Sequence, residues 1–249
     1  MGRKKAVLIS GGTSGIGLAT AAILASRGWS VAINGRNISK GKIAEESLQR
    51  LPGKVRYLCG DVSDVDDCHR LIDETVRLFG TLDGVVTAAG YYQEKLLHDL
   101  TEAEYAYMMA VNVKGTIFLC KYALPLLRQT KGNIVTVASD AGIQGNVACS
   151  LYGATKGAVV SFTKSLALET APYGIRVNCV CPGDVDTPLL EAQLQDDEYA
   201  TRALMGNHYP LGRIAKPEEV GHVIAFLLSE EASFVTAAAW TVDGGLTSW

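Results

Sequence analysis

What the chain lacks narrows the field first. Its six cysteines, at 59, 68, 120, 149, 179 and 181, include no C-x-x-C pair, and its four histidines are not clustered near them. Neither a zinc cage nor a dithiol motif has its usual spacing, so no metal is expected. Most of the cysteines fall in apolar runs, where a small buried thiol is the plain reading. A reduced, cytoplasmic setting is the expectation that follows. No apolar run approaches the roughly 18 residues that cross a bilayer, so no membrane partner is expected. The apolar stretch behind Arg3-Lys4-Lys5 stops after four residues at Ser10-Gly11-Gly12, too short for a signal peptide. Ala6 also breaks the myristoylation pattern. A surplus of positive charge is missing too: the formal net charge is −3, which argues against a nucleic-acid partner. There is no Pro/Ser-rich linker, no charge block and no repeat, so residues 1–249 read as one domain.

What is present is an alternation. Short β-rich runs at 6–10, 30–34, 55–59, 84–88, 133–138, 176–181 and 239–243 are separated by amphipathic patterns near 15–27, 39–50, 64–79, 101–129, 151–172 and 216–229. Several strand runs, such as Ile134-Val135-Thr136-Val137, show no polar alternation, as in a parallel sheet buried on both faces. Repeated βαβ units imply an α/β, doubly wound sheet of about seven parallel strands with right-handed crossovers. Residues 184–212 break the rhythm with Pro188, Asp196-Asp197-Glu198, Gly206 and Pro210. They read as a flexible segment with a short helix. Ligands in such sheets bind beyond the carboxyl ends of the strands, so this segment is a candidate substrate lid; a surface excursion is the plainer alternative.

Three residues suggest chemistry. Tyr152 and Lys156 are four apart, which on a helix puts them about 40° apart on one face. Ser139 ends a strand-like run 13 residues earlier. A hydroxyl, a phenol and an ammonium brought to one point suit acid–base work on a carbonyl or carbinol, because a nearby cation lowers a phenol's pKa towards neutrality. The Tyr-Lys spacing alone carries little. Tyr91 and Lys95 share it, but with Leu at position 78 and no strand leading in they read as a decoy. A second feature is Ser10-Gly11-Gly12-Thr13-Ser14-Gly15-Ile16-Gly17, between the first strand and the first helix. Glycines let backbone approach a pyrophosphate, and the helix N-terminus favours its charge.

Taken in this order and spacing, Ser10–Gly17, Asn112, Ser139, Tyr152, Lys156, Pro182-Gly183 and the terminal Val242-Asp243-Gly244-Gly245 resemble the classical short-chain dehydrogenase/reductase family. The likeness covers essentially the whole chain and includes its 3-oxoacyl-carrier-protein reductase and carbonyl reductase members. It implies a Rossmann-like fold and a role for each matching residue. Tyr152 would be the catalytic acid/base and Ser139 would hydrogen-bond the substrate oxygen. Lys156 would bind nicotinamide-ribose hydroxyls and depress the Tyr152 pKa. Asn112 would hold a relay water, or bridge strands as a buried amide. Gly11, Thr13, Ser14, Gly15, Ile16 and Gly17 would cradle the phosphates. Asp61 and Val62 would flank the adenine; the plainer alternative for Asp61 is a cap for the helix starting near Ser63. Ala88, Ala89 and Gly90 would line the cofactor, and Pro182, Gly183, Val185 and Thr187 would position the carboxamide.

Departures from the family pattern refine the expectation. Position 35 is glycine where NAD-preferring members carry a carboxylate for the ribose, and Arg36-Asn37 follows. A guanidinium there suits a 2′-phosphate, so NADP(H) is favoured over NAD(H). The fourth strand ends Thr87-Ala88-Ala89-Gly90 in place of Asn-Asn-Ala-Gly, and Thr236-Ala237 replaces Thr-Gly. Asp140 and Asp184 make the pocket unusually polar; Tyr91, Tyr92, Gln144, Cys149, His208 and Tyr209 are further pocket candidates. The expected activity is hydride transfer between NADP(H) and a small carbonyl or secondary alcohol. Alternatives are reduction of carrier-bound 3-oxoacyl groups, NAD-dependent alcohol or diol oxidation, nucleotide-sugar epimerase or dehydratase chemistry, and a catalytically silent dinucleotide sensor. For a carrier protein, Thr130 and Tyr173 stand where basic residues are expected, with Arg128, Lys131 and Arg176 close by. The family likeness also implies a homotetramer, or a homodimer, built on apolar faces of the helices at 101–129 and 151–172.

Overall fold

In the computed structural model, residues 3–196 and 202–248 are described. The strand-like runs become β1 (Ala6–Ser10), β2 (Ser30–Gly35), β3 (Val55–Cys59), β4 (Gly84–Thr87), β5 (Asn133–Val137), β6 (Arg176–Pro182) and β7 (Ala239–Val242). They lie in one sheet in the order β3-β2-β1-β4-β5-β6-β7, every neighbouring pair parallel. Order reverses between β1 and β4, and the crevice at that switch is where such sheets hold a ligand.

Both faces are covered, which explains the unbroken apolar runs. Side chains alternate across a strand, so Val7, Ile9, Val31, Ile33, Val86, Val135 and Val180 share one face. They pack under α1 (Gly15–Ser26), α2 (Ile38–Ser47) and the last long helix. Leu8, Ala32, Val85, Ile134 and Val177 share the other face, under α3 (Val65–Phe79) and the two long central helices. Asp64 caps α3 by accepting from the amides of Asp66 and Asp67, and Gly80 ends it at φ 75°.

One expected element divides. The pattern at 101–129 forms α4 (Glu102–Met109), a π-type stretch Ala110–Lys114 and α5 (Gly115–Thr130). The run Glu102–Thr130 is apolar and long enough to cross a membrane by composition. Here α5 contributes Leu119, Cys120, Ala123 and Leu127 to the core. The wider π turn accompanies the inward placement of Asn112, described below. After it come α6 (Ser150–Thr170), α7 (Pro188–Asp196), α8 (Arg202–Gly206) and α9 (Pro217–Leu227). The segment at 184–212 thus holds two helices where one was expected. Its Asp197 and Glu198 lie outside the described residues.

Candidate active site

The glycine loop is shaped by close backbone contact. A β-carbon at Gly17 would stand 2.3 Å from the Gly11 carbonyl oxygen, and one at Gly11 2.7 Å from the Ala89 nitrogen. Gly11 also has φ +66°, a conformation glycine adopts without strain. The loop therefore lies directly on the end of β4, where the Ala89 amide donates to Ser10 Oγ at 3.3 Å. Ser14 occupies the N-cap of α1 but makes no side-chain cap bond, so the first-turn amides receive nothing from it. A glycine cradle ending in an uncapped helix N-terminus fits the pyrophosphate of a dinucleotide. Across the cleft, Thr187 Cγ2 lies 3.0 Å from where a Gly15 β-carbon would be, so the segment after β6 closes onto this loop. Val185, buried, is fixed there by a bridge to Ala215.

Tyr152 and Lys156 share one face of α6, as their spacing predicts. Lys156 is buried, and its Nζ donates to the Val137 carbonyl at 3.1 Å, tying α6 to the last residue of β5. Burial holds the ammonium down to about 8. That Nζ stands 5.5 Å from the Tyr152 ring centre. The expected lowering of the Tyr152 pKa is not found in the free protein. Burial pushes the phenol well above its usual value, the Ser139 hydroxyl pulls it down, and the charges of Asp140, Cys149 and Asp184 push it up again. Burial outweighs a cation at this distance, which is the physical reason for the difference.

Asn112 acts as the bridging amide. Its Oδ1 accepts from the Tyr91 amide at 2.7 Å, while Nδ2 donates to the Tyr91 carbonyl at 2.9 Å and to Thr155 Oγ1 at 3.0 Å. Gly90 lies between the parts: a β-carbon there would sit 3.6 Å from Lys156 Nζ and 3.8 Å from Asn112 Oδ1.

The other side of Tyr152 is acidic. Ser139 Oγ donates to Asp140 Oδ1 at 2.6 Å, and Asn146 Nδ2 and Gln144 Nε2 approach Asp140 Oδ2 at 3.1 and 3.5 Å. Asp184 accepts from the Tyr209 hydroxyl at 2.8 Å, and its own amide donates to that hydroxyl at 2.6 Å. Burial raises the Asp184 pKa, and the Asp140 and Glu94 charges add to the rise. Tyr92 stands edge-on to Tyr152, ring centres 4.7 Å apart, with its hydroxyl 3.5 Å from Cys149 Sγ. Tyr91 instead packs on Tyr107 with its hydroxyl towards Gln93, so of the two neighbours it is Tyr92 that faces the phenol. His208 is exposed.

At the adenine end, Gly35 leaves no room for a side chain, since a β-carbon would meet Thr13 Oγ1 at 2.7 Å. Arg36 extends to the Tyr107 hydroxyl at 2.7 Å and to Asp61 at 3.6 Å. Asn37 spends its carbonyl oxygen on capping α2 through the Lys40 amide. Asp61 does not cap α3, whose cap is Asp64; it accepts from the Ser63 amide. Val62 is buried against Gly115. At the nicotinamide end, Pro182 ends β6 and Gly183 lies under the Tyr209 ring. Tyr91 and Lys95 stand in a loop, not a helix, and Lys95 is paired with Glu104 at 2.7 Å. Asn146, Thr155 and Tyr107 were not singled out from the sequence. Nothing in their local pattern marks them: Thr155 and Tyr107 act on residues far away along the chain, and Asn146 reaches Asp140 through an irregular loop with no period to read.

Comparison with known proteins agrees with this geometry. Residues 11–247 match the family described as "Enoyl-(Acyl carrier protein) reductase". The L-fucose dehydrogenase of Bos taurus is 39% identical, covering 97% of this chain and 88% of its own. A 3-oxoacyl-[acyl-carrier-protein] reductase of Thermotoga maritima is 37% identical, covering 97% of each. Among solved structures, ElxO with NADP bound superposes with a TM-score of 0.92 at 31% identity, over 99% of this chain and 100% of that one. The chain belongs to the short-chain dehydrogenase/reductase family and is a dinucleotide-dependent oxidoreductase acting on CH–OH donors.

Proposed function

We propose that this protein transfers hydride between NADP(H) and the carbonyl or carbinol carbon of a small, uncharged substrate. The observation that carries the reading is the Tyr152–Lys156 turn of α6, anchored by Lys156 to the Val137 carbonyl and lying against Gly90, whose neighbour Ala89 touches the glycine loop. The bound dinucleotide supplies or accepts the hydride; the protein supplies orientation and charge. Gly11, Gly15 and Gly17 would hold its phosphates against the first turn of α1, and Lys156 and Tyr152 would hold the nicotinamide ribose. For reduction, Tyr152 gives its phenolic proton to the substrate oxygen. Lys156 then returns a proton to Tyr152, and Asn112 fixes the Tyr91 backbone beside it. Oxidation runs the same steps backwards. Arg36, beside a Gly35 that cannot carry a repelling carboxylate, supports NADP(H) over NAD(H).

The carboxylates of Asp140, Asp184 and Glu94 around Tyr152 favour hydroxyl-bearing neutral substrates over anionic ones. A carrier-bound 3-oxoacyl substrate draws support from the Thermotoga maritima relative. It loses support from two basic residues. Arg176 spends its guanidinium on the carbonyls of Leu227, Val235 and Ser229, and Arg128 lies 3.7 Å over the Tyr173 ring. Exposed Leu168 on α6 supports assembly into a homotetramer, or a homodimer. The test is consumption of NADPH and NADH against a panel of ketones, keto-sugars, neutral sugars and 3-oxoacyl thioesters, beside Tyr152→Phe. Turnover that prefers NADPH and vanishes in Tyr152→Phe is expected. Failure to bind either cofactor overturns the reading.

A further inference from the structure

Asp140 has no part in the proton transfer described above, yet it holds the hydrogen of the Ser139 hydroxyl beside Tyr152. A hydroxyl has one hydrogen and two lone pairs. Ser139 Oγ gives its hydrogen to Asp140 Oδ1 at 2.6 Å and accepts from the Ala141 amide at 3.3 Å. What remains for Tyr152 and the substrate oxygen is a lone pair. An oxygen that gains negative charge during reaction needs a donor instead. Asp140 is buried, and Asn146 and Gln144 hold its second oxygen, so the carboxylate is fixed in this pose.

We propose that Asp140 is a positioning residue that withholds the Ser139 hydrogen and keeps Tyr152 a phenol, confining alcohol oxidation by this protein to alkaline pH. The inference rests on the proposed function. Oxidation requires the alcohol to pass its proton to Tyr152 while the hydride leaves for the oxidised dinucleotide, so Tyr152 must first be a phenolate. The groups that bear on it come from four places. Asp140 lies after β5, Asp184 after β6, and Cys149 at the start of α6, all opposing the phenolate. From the loop after β4, the Tyr92 ring covers Tyr152 and Glu94 adds its charge to those of Cys149 and Asp184. His208 and Tyr209 bear on Asp184. Among the described residues, Lys156 is the cation beside the ring. Ser139 is the neighbour that favours the phenolate, and it can do so only with the hydrogen Asp140 holds.

Asp140→Asn keeps the shape, removes the charge and leaves only a neutral amide oxygen, which holds the Ser139 hydrogen about half as strongly as a carboxylate does. Tyr152 ionisation is followed by ultraviolet difference absorbance, subtracting Tyr152→Phe made in each background, which needs no turnover. The pH–rate profile of alcohol oxidation is recorded alongside. The midpoint and the acid limb are both expected to fall by about one pH unit, raising the oxidation rate at neutral pH about tenfold. Asp184→Asn, whose carboxylate bonds to Tyr209 rather than Ser139, is expected to move them less. A midpoint unmoved in Asp140→Asn overturns the proposal, as does a shift no larger than that of Asp184→Asn. Asp140→Ser gives the same reading should the amide variant not fold. Absence of turnover by the parent protein on every alcohol overturns the function and leaves the absorbance result to judge Asp140 separately.

Discussion

Asn112 grips the backbone of Tyr91 at both ends, accepting from its amide at 2.7 Å and donating to its carbonyl at 2.9 Å. The side chain thereby completes the turn that leads from β4 into the loop over Tyr152. Asn112→Ala strips both partners. Each buried backbone group left unpaired costs about 1–3 kcal/mol. The melting temperature is expected to drop, and activity to fall more steeply than the folded fraction, because the loop that carries Tyr92 loses its anchor. Calorimetry and kinetics on one preparation check this; activity that tracks the folded fraction would show that the anchor matters only for stability.

Lys156 predicts a specific pH dependence. Its folded pKa is about 8, against 10.5 for an ordinary lysine. Below 8 both states are charged and the native state bears the full cost of burying the ammonium. Between 8 and 10.5 the unfolded chain binds more protons, so this group makes stability rise with pH. The rise amounts to about 3 kcal/mol across the window. Denaturant unfolding of the parent and of Lys156→Met, compared at pH 7.5 and 10, isolates it. A difference between the two proteins that does not change with pH would contradict the burial argument.

On the proposed reading, Arg36 favours NADP(H), and the contact between Gly35 and Thr13 leaves no room for a carboxylate that would favour NAD(H). Arg36→Ala is expected to weaken NADPH binding about 10–100-fold through loss of a charged hydrogen bond, and to alter NADH binding little. Gly35→Asp alone is expected to harm folding, since its β-carbon would strike Thr13 Oγ1 and Cγ2 at 2.7 and 2.8 Å. Adding Thr13→Ala removes both atoms, and the double variant is expected to favour NADH. Titration by cofactor fluorescence decides the matter. Equal losses of NADPH and NADH in Arg36→Ala would remove the guanidinium from the role of phosphate reader.

Ala237 carries a β-carbon in the left-handed region, with φ at 58°. That conformation costs a residue with a β-carbon about 1–2 kcal/mol. Ala237→Gly is therefore expected to stabilise the protein by up to about 1 kcal/mol, after the greater unfolded-state freedom of glycine is deducted. Thermal unfolding reads the sign directly, and a lower melting temperature would mean that the methyl group packs better than its backbone suggests.

Features that depend on near neighbours in sequence were legible. The strands follow from unbroken apolar runs, α3 from its amphipathic pattern at 64–79, and the Tyr152–Lys156 face from helical period; the cap of α3 is Asp64, not Asp61. Features that depend on distant contacts were not. Arg36 meets Tyr107 across 71 positions, and Thr187 meets Gly15 from beyond β6, with no local signal for either. The periodicity at 101–129 reads as one helix because a π turn leaves hydrophobic spacing almost intact. The pKa of Tyr152 was misjudged for a similar reason. Spacing reveals which cation is near, but burial depends on everything packed around the ring.

The π stretch Ala110–Lys114 sets a phase relation within an otherwise continuous rod. Each α-helical residue turns the chain by about 100°. A wide i→i+5 turn absorbs one residue beyond the α-helical count, so the helices on either side keep their phase. Deleting one residue between 110 and 114 would let the turn relax to ordinary winding, with Tyr107 of α4 still directed at Arg36 and α5 still seated on the sheet. What would be lost is the inward step of Asn112, so the extra residue serves the grip on Tyr91 and not the length of the rod.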